Sequence, residues 1–325
     1  MLCKPESLGA FPSPEKALSE TKREFSYLSP NASPEPSLRS VSSPSSERGP
    51  IRTEDKEERV NPPYEAGAAC RGCSKEPTGR VPVPRVIEKL DRFFAVNDLS
   101  GAEALLDYWE AEGRALGDER GLLAILNEKA GLYRRTENAG KGLAAAREAC
   151  SLVEALGIDR SFSGGTILLN AATTMKAFGE VRGALTLYER AKEIYDLSSA
   201  SGRYEYAALC NNMASACEAL SDYVRAEALY REAIALLEKE GRHDGEIAVS
   251  YVNLAHLCIE RDPSDKEAVD RALSRAWEFL TSDRQPHDAN YAFICSKCAT
   301  SYAFFGWEDE ANALSEVAKE IYERS

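Results

Sequence analysis

The chain has 325 residues, 43% of them apolar and 29% charged, a length suited to two average domains or one long repeat array. Its net charge of −13 is unevenly placed: residues 1–80 hold 12 basic and 12 acidic side chains, which leaves 28 basic against 41 acidic in 81–325. That excess argues against a general nucleic-acid binder, which would show a basic stripe, and no run of 18 apolar residues offers a membrane span. The first twenty residues lack the apolar core of a secretory signal. Nine cysteines, an odd number set mostly within helical patterns, point to free thiols in a reducing, cytoplasmic setting.

Residues 1–80 hold 11 of the 15 prolines and 13 serines and show no apolar periodicity, so this segment is expected to be a disordered Ser/Pro/Glu-rich tail. Ser13, Ser29, Ser33 and Ser43 each precede proline and are candidates for phosphorylation. Cys70 and Cys73 supply half of a tetrahedral zinc site. No second pair or histidine stands near them in sequence, and they read as incidental thiols.

From residue 81 onward helices come in pairs. The small residue that opens each second helix falls at Ala102, Gly142, Ala184, Ala226, Ala268 and Ala311, at intervals of 40, 42, 42, 42 and 43. The matching residue of each first helix falls at Leu90, Ala130, Ala172, Ala214, Ala255 and Ala299, at intervals of 40, 42, 42, 41 and 44. Two series with one period predict a solenoid of about six antiparallel helix pairs over 81–325. Small side chains let the helices of a pair approach, and Tyr188 and Tyr230 fill the space toward the next repeat. Short polar turns such as Glu137-Asn138 and Ser221-Asp222 force antiparallel neighbours. Ser100 with Glu103, and Ser264 with Glu267, fit the capping-box pattern at second-helix starts.

The Ala-x3-Tyr-x2-Ala face of Ala226, Tyr230 and Ala233, its counterpart at Ala184, Tyr188 and Ala191, and the turn at Asp222-Tyr223 resemble the tetratricopeptide repeat (TPR). The period of about 42 residues is longer than the usual 34 and is similar to the kinesin-light-chain type and to uncharacterised bacterial TPR proteins. This resemblance implies an all-α, right-handed α-solenoid whose first helices line a concave groove. It also implies ligands that are segments of other proteins.

On that geometry the residues facing the groove include Asn127, Arg134, Asn170, Thr173, Lys176, Asn211, Asn212, Asn253, His256 and Lys297. Asn170, Asn212 and Asn253 each stand two before the small residue and form a ladder. A side-chain amide donates and accepts at once, which suits it to grip an extended main chain. Arg134, Lys176 and Lys297 favour a partly acidic peptide, although Glu128, Glu218 and Glu260 lie nearby. The alternative is that the asparagines tie the scaffold together. The function expected is a non-catalytic interaction scaffold that binds another protein or a peptide; a regulatory sensor of a small signalling peptide would use the same groove. A thiol or metal enzyme is a remote third reading: there are three histidines, no phosphate loop and no nucleophile elbow, and no cofactor is implied. Cys295 and Cys298, at i, i+3, read as core thiols. Without a further capping helix, the C-terminal pair is expected to be covered by the tail or to form a homodimer.

Overall fold

The computed structural model describes residues 79–197 and 203–324; the Ser-Pro sites, the Cys70–Cys73 pair and nearly all of the tail lie outside them. The described residues form twelve helices and no strand. The first pair is α1 (Val83–Ala95) and α2 (Leu99–Leu116), and the second is α3 (Glu119–Arg135) and α4 (Ala139–Ala155). The third pair is α5 (Phe162–Ala177) and α6 (Val181–Leu197), and the fourth is α7 (Arg203–Ala219) and α8 (Tyr223–Glu240). The last two are α9 (Asp244–Arg261) with α10 (Lys266–Leu280), and α11 (Ala289–Phe304) with α12 (Glu308–Arg324). The expected all-α solenoid of six pairs is what the chain forms.

The period works through burial. Leu90, Ala130, Ala172, Ala214, Ala255 and Ala299 are all buried between helices. In the second helices Ala102, Gly142, Ala184, Ala226 and Ala311 are buried as expected. The fifth pair departs from the series. Ala268 is only half-buried, and Val269 takes the interior position, followed by Leu273, Ala276 and Leu280. The longer turn through Asp262-Pro263-Ser264 shifts the start of α10 and slips the register by one residue. Tyr188 and Tyr230 are fully buried, each such side chain contributing roughly 2–3 kcal/mol of apolar burial.

The core passes from pair to pair without a break at α9. Ile247, Leu254 and Leu257 belong to the cluster running back to α3, while Ala248, Val252 and Ala255 belong to the one running on through α12. At that end α12 buries Ala311, Leu314, Ala318 and Ile321 inward and turns Glu316, Glu320 and Glu323 outward. The outward side chains of α12 are mostly polar.

Within pairs, four turns place one residue in the left-handed region and a fifth uses Gly179, at φ 86°. Asn97, Glu137 and Ser221 take φ of 53°, 53° and 61°, and Gly306 takes 81°. A left-handed backbone costs a non-glycine residue on the order of 1 kcal/mol. Ser221→Gly is therefore expected to stabilise the array by about 0.5–1 kcal/mol after the entropy of the more flexible unfolded chain is counted. Urea unfolding followed by circular dichroism would show it as a raised midpoint.

The helix caps differ from the sequence pattern. Asp98 caps α2 by accepting from the Gly101 amide at 2.8 Å, and Asp265 caps α10 by accepting from the Ala268 amide at 3.1 Å. Ser264 instead donates to Asp262, while Glu103 pairs with Lys141 and Glu267 with Arg271. Aspartate in the turn supplies the acceptor one or two residues away from the serine that the capping-box pattern selects.

Candidate peptide-binding face

The first helices α3, α5, α7, α9 and α11 carry the residues selected from sequence. Side-chain hydrogen bonds cross from one first helix to the next at several points. Asn170 donates to the Asn127 side chain at 2.9 Å. Arg134 donates to the Asn170 carbonyl at 3.1 Å and to Thr174 at 2.9 Å. Asn211 donates to Ser250 at 2.9 Å. The His256 Nε2 and Ser301 Oγ lie 2.8 Å apart, and the imidazole also packs on Phe304 and Phe305.

Burial divides the candidates. Asn170 at 2% exposure, Asn212 at 4%, Thr173, Arg134 and His256 are enclosed in this packing. Asn212 donates back to the Ala208 carbonyl of its own helix at 3.0 Å, and Thr173 accepts from the Tyr188 hydroxyl at 3.1 Å. The ladder of Asn170, Asn212 and Asn253 is thus not presented as one row. Two of its amides are turned into helix packing, and Asn253 alone is half-exposed. Asn127, Asn211 and Lys297 are half-exposed as well, and the Lys297 ammonium lies 5.7 Å from the Phe293 ring centroid.

Two polar atoms on this layer are buried with no hydrogen-bond partner among the described residues: the Lys176 Nζ and the Asn211 Oδ1. One is a donor and the other an acceptor, on first helices of consecutive pairs. Burial pulls the Lys176 pKa down to about 8, with Glu218 opposing the shift and Arg134 adding to it. Nearby, the Tyr230 hydroxyl donates to Glu218 at 2.6 Å, and burial raises the Glu128 carboxyl above the usual range.

Thr174, Ser250 and Ser301, the hydrogen-bond partners between first helices, were not among the residues singled out by sequence. Their signal is an offset from the buried small residue: two after Ala172, five before Ala255 and two after Ala299. The thiols are core groups. Cys295 and Cys298 are fully buried, and burial pushes Cys295 up to about 11 and Cys298 well above its ordinary value. Among the described residues no three His, Cys, Asp or Glu side chains cluster closely enough to hold a metal ion, and no helix is long and apolar enough to cross a membrane.

Six antiparallel pairs with a hydrogen-bonded layer of first helices define a helical-repeat solenoid. The chain is similar to the crystal structure of BtubC (BKLC) from P. vanneervenii, at 20% identity over 75% of this chain and 92% of that one, with a TM-score of 0.44. It is similar also to a putative kinesin light chain of Podosopora anserina with nearly identical TPR-like repeats, at 19% identity over 62% and 95% of the two chains, with a TM-score of 0.46. A single-substitution variant of that protein gives 19% identity over 62% and 97%, with a TM-score of 0.47. No family model matches the chain, and no curated protein matches it.

Proposed function

We propose that residues 81–325 form a non-catalytic interaction scaffold whose first-helix face takes an extended peptide segment of another protein. Residues 1–80 form a separate tail, and the setting is cytoplasmic. The observation that supports this reading is the set of half-exposed polar side chains Asn127, Asn211, Asn253 and Lys297 spread over four of the first helices. A side-chain amide donates and accepts at once, so it can take both the carbonyl and the N–H of a peptide main chain. Arg134, Asn170, Thr173, Asn212 and His256 serve by fixing the helices that present them. The non-catalytic reading is supported by thiols that burial holds protonated, far from the reactive thiolate. The six cysteines among the described residues are free thiols, which favours a reducing compartment.

The test is affinity capture with the wild type and with an Asn253→Ala, Lys297→Ala variant, chosen because these side chains are half-exposed on the layer. The reading expects recovery of specific partners to fall by at least about tenfold, the equivalent of 1.4 kcal/mol, at an unchanged melting temperature. Equal recovery from both would place the contact elsewhere.

A further inference from the structure

Contacts between successive pairs come from a few positions counted from the small residues. Lys129, one before Ala130, is clamped by Asp107 and Glu110 of the preceding second helix, five and eight after Ala102. Between first helices, residues three before and one after the small residue reach forward: Asn127 and Asn211 in the first case, His256 in the second. They are met by residues two before, five before and two after the next small residue: Asn170, Ser250 and Ser301.

The same offsets can be laid on the two outward faces. On α1, counted from Leu90, they fall on Arg85, Glu88, Lys89 and Arg92. All four are exposed, and with Phe93 and Val96 they line a groove of about 590 Å³. On the last pair the forward-reaching offsets fall on Ser296 and Thr300 of α11 and on Glu316 and Lys319 of α12. The charges are complementary: the α1 groove has three cations to one carboxylate, and the exposed side chains of α12 are mainly acidic. Three of the five large exposed apolar side chains in the described region also sit at these ends, Val96 and Tyr108 at one and Tyr322 at the other.

We propose that a second copy of the chain seats its first pair on the last pair of its neighbour, head to tail. The Glu316 carboxylate then meets the Lys89 amine as Asp107 meets Lys129 inside the array. The contact is heterologous, so it propagates rather than closing at a dimer. A symmetric dimer through α11 and α12 would instead set Glu316, Glu320 and Glu323 against their own copies.

Sedimentation of the full chain at concentrations rising to about 300 µM tests this, since head-to-tail contacts of this kind are weak. The weight-average mass is expected to climb above 35.6 kDa without a plateau at the dimer. It should return toward the monomer at about 1 M salt, where the Debye length is roughly 3 Å. Lys89→Glu and Glu316→Lys should each abolish the rise, while a mixture of the two variants, or the double variant K89E/E316K, should recover it. Both positions are exposed, so circular dichroism should match the wild type. A mass constant at 35.6 kDa throughout, as when the tail covers either end, overturns the proposal. So does a plateau at the dimer that Lys89→Glu leaves intact.

Discussion

Tyr230→Ala is expected to cost the array about 4–8 kcal/mol and to open α7 and α8 before the rest. The side chain is 1% exposed, and its ring fills the space between the pairs. Truncating a buried aromatic costs about 3–5 kcal/mol. The hydroxyl donates to Glu218 at 2.6 Å, and withdrawing that donor from a buried carboxyl adds about 1–3 kcal/mol. Tyr230→Phe separates the two contributions, keeping the packing and losing about 1–3 kcal/mol. Each pair in a solenoid contacts mainly its neighbours, so the loss is local. Hydrogen exchange is the fitting measurement: protection should fall in α7 and α8 and persist in α3 and α4. Uniform loss along the array would show a cooperativity that nearest-neighbour packing does not predict.

Lys176→Met works in the opposite direction. The Lys176 pKa is about 8 in the folded chain, against roughly 10.4 for an unperturbed lysine. The folded-state value is the lower one, so between the two the unfolded chain binds the extra proton and stability rises with pH. Below about 8 both states are charged and the full penalty stands, roughly 3 kcal/mol at 1.36 kcal/mol per pKa unit. Methionine keeps much of the volume and removes the charge. The variant should therefore be more stable than the wild type by about 2–3 kcal/mol at pH 7, with the gap closing as pH approaches the unperturbed lysine value. Urea unfolding of both proteins at neutral and alkaline pH reads this directly. A variant less stable than the wild type at pH 7 would mean that the amine has a partner.

The helix pairs were legible because one physical need recurs: a small residue wherever two helices touch. Ala130, Ala172 and Ala214 state it at a period of 42 residues. In α10 the alanine at 268 looked right by spacing, yet the longer turn before it gave the interior place to Val269. The caps were misassigned by a comparable margin, from Asp98 and Asp265 to neighbouring serines. In the candidate site, spacing found the correct helices but not the rotation of each amide. Successive residues on a helix point about 100° apart. Asn211 and Asn212 accordingly differ in fate: one reaches Ser250 of the next first helix and the other its own backbone. Contacts between distant helices left no local signal. Arg284 reaches back to Asp244 at 2.8 Å, and Tyr206 sits among Lys192, Asp196 and Glu232. These partners stand 10 to 40 residues apart, on different helices or loops.

The central claim is that ligands lie along the first helices. Photo-crosslinking tests it most directly, with a benzophenone side chain placed at Asn253 on α9 in one protein and at the exposed Arg231 on α8 in another. Each protein is exposed to its captured partners, irradiated and mapped by mass spectrometry. The account predicts adducts to one short, contiguous segment of a partner from Asn253 and none from Arg231. Equal adducts from both positions, or adducts from Arg231 alone, would contradict it.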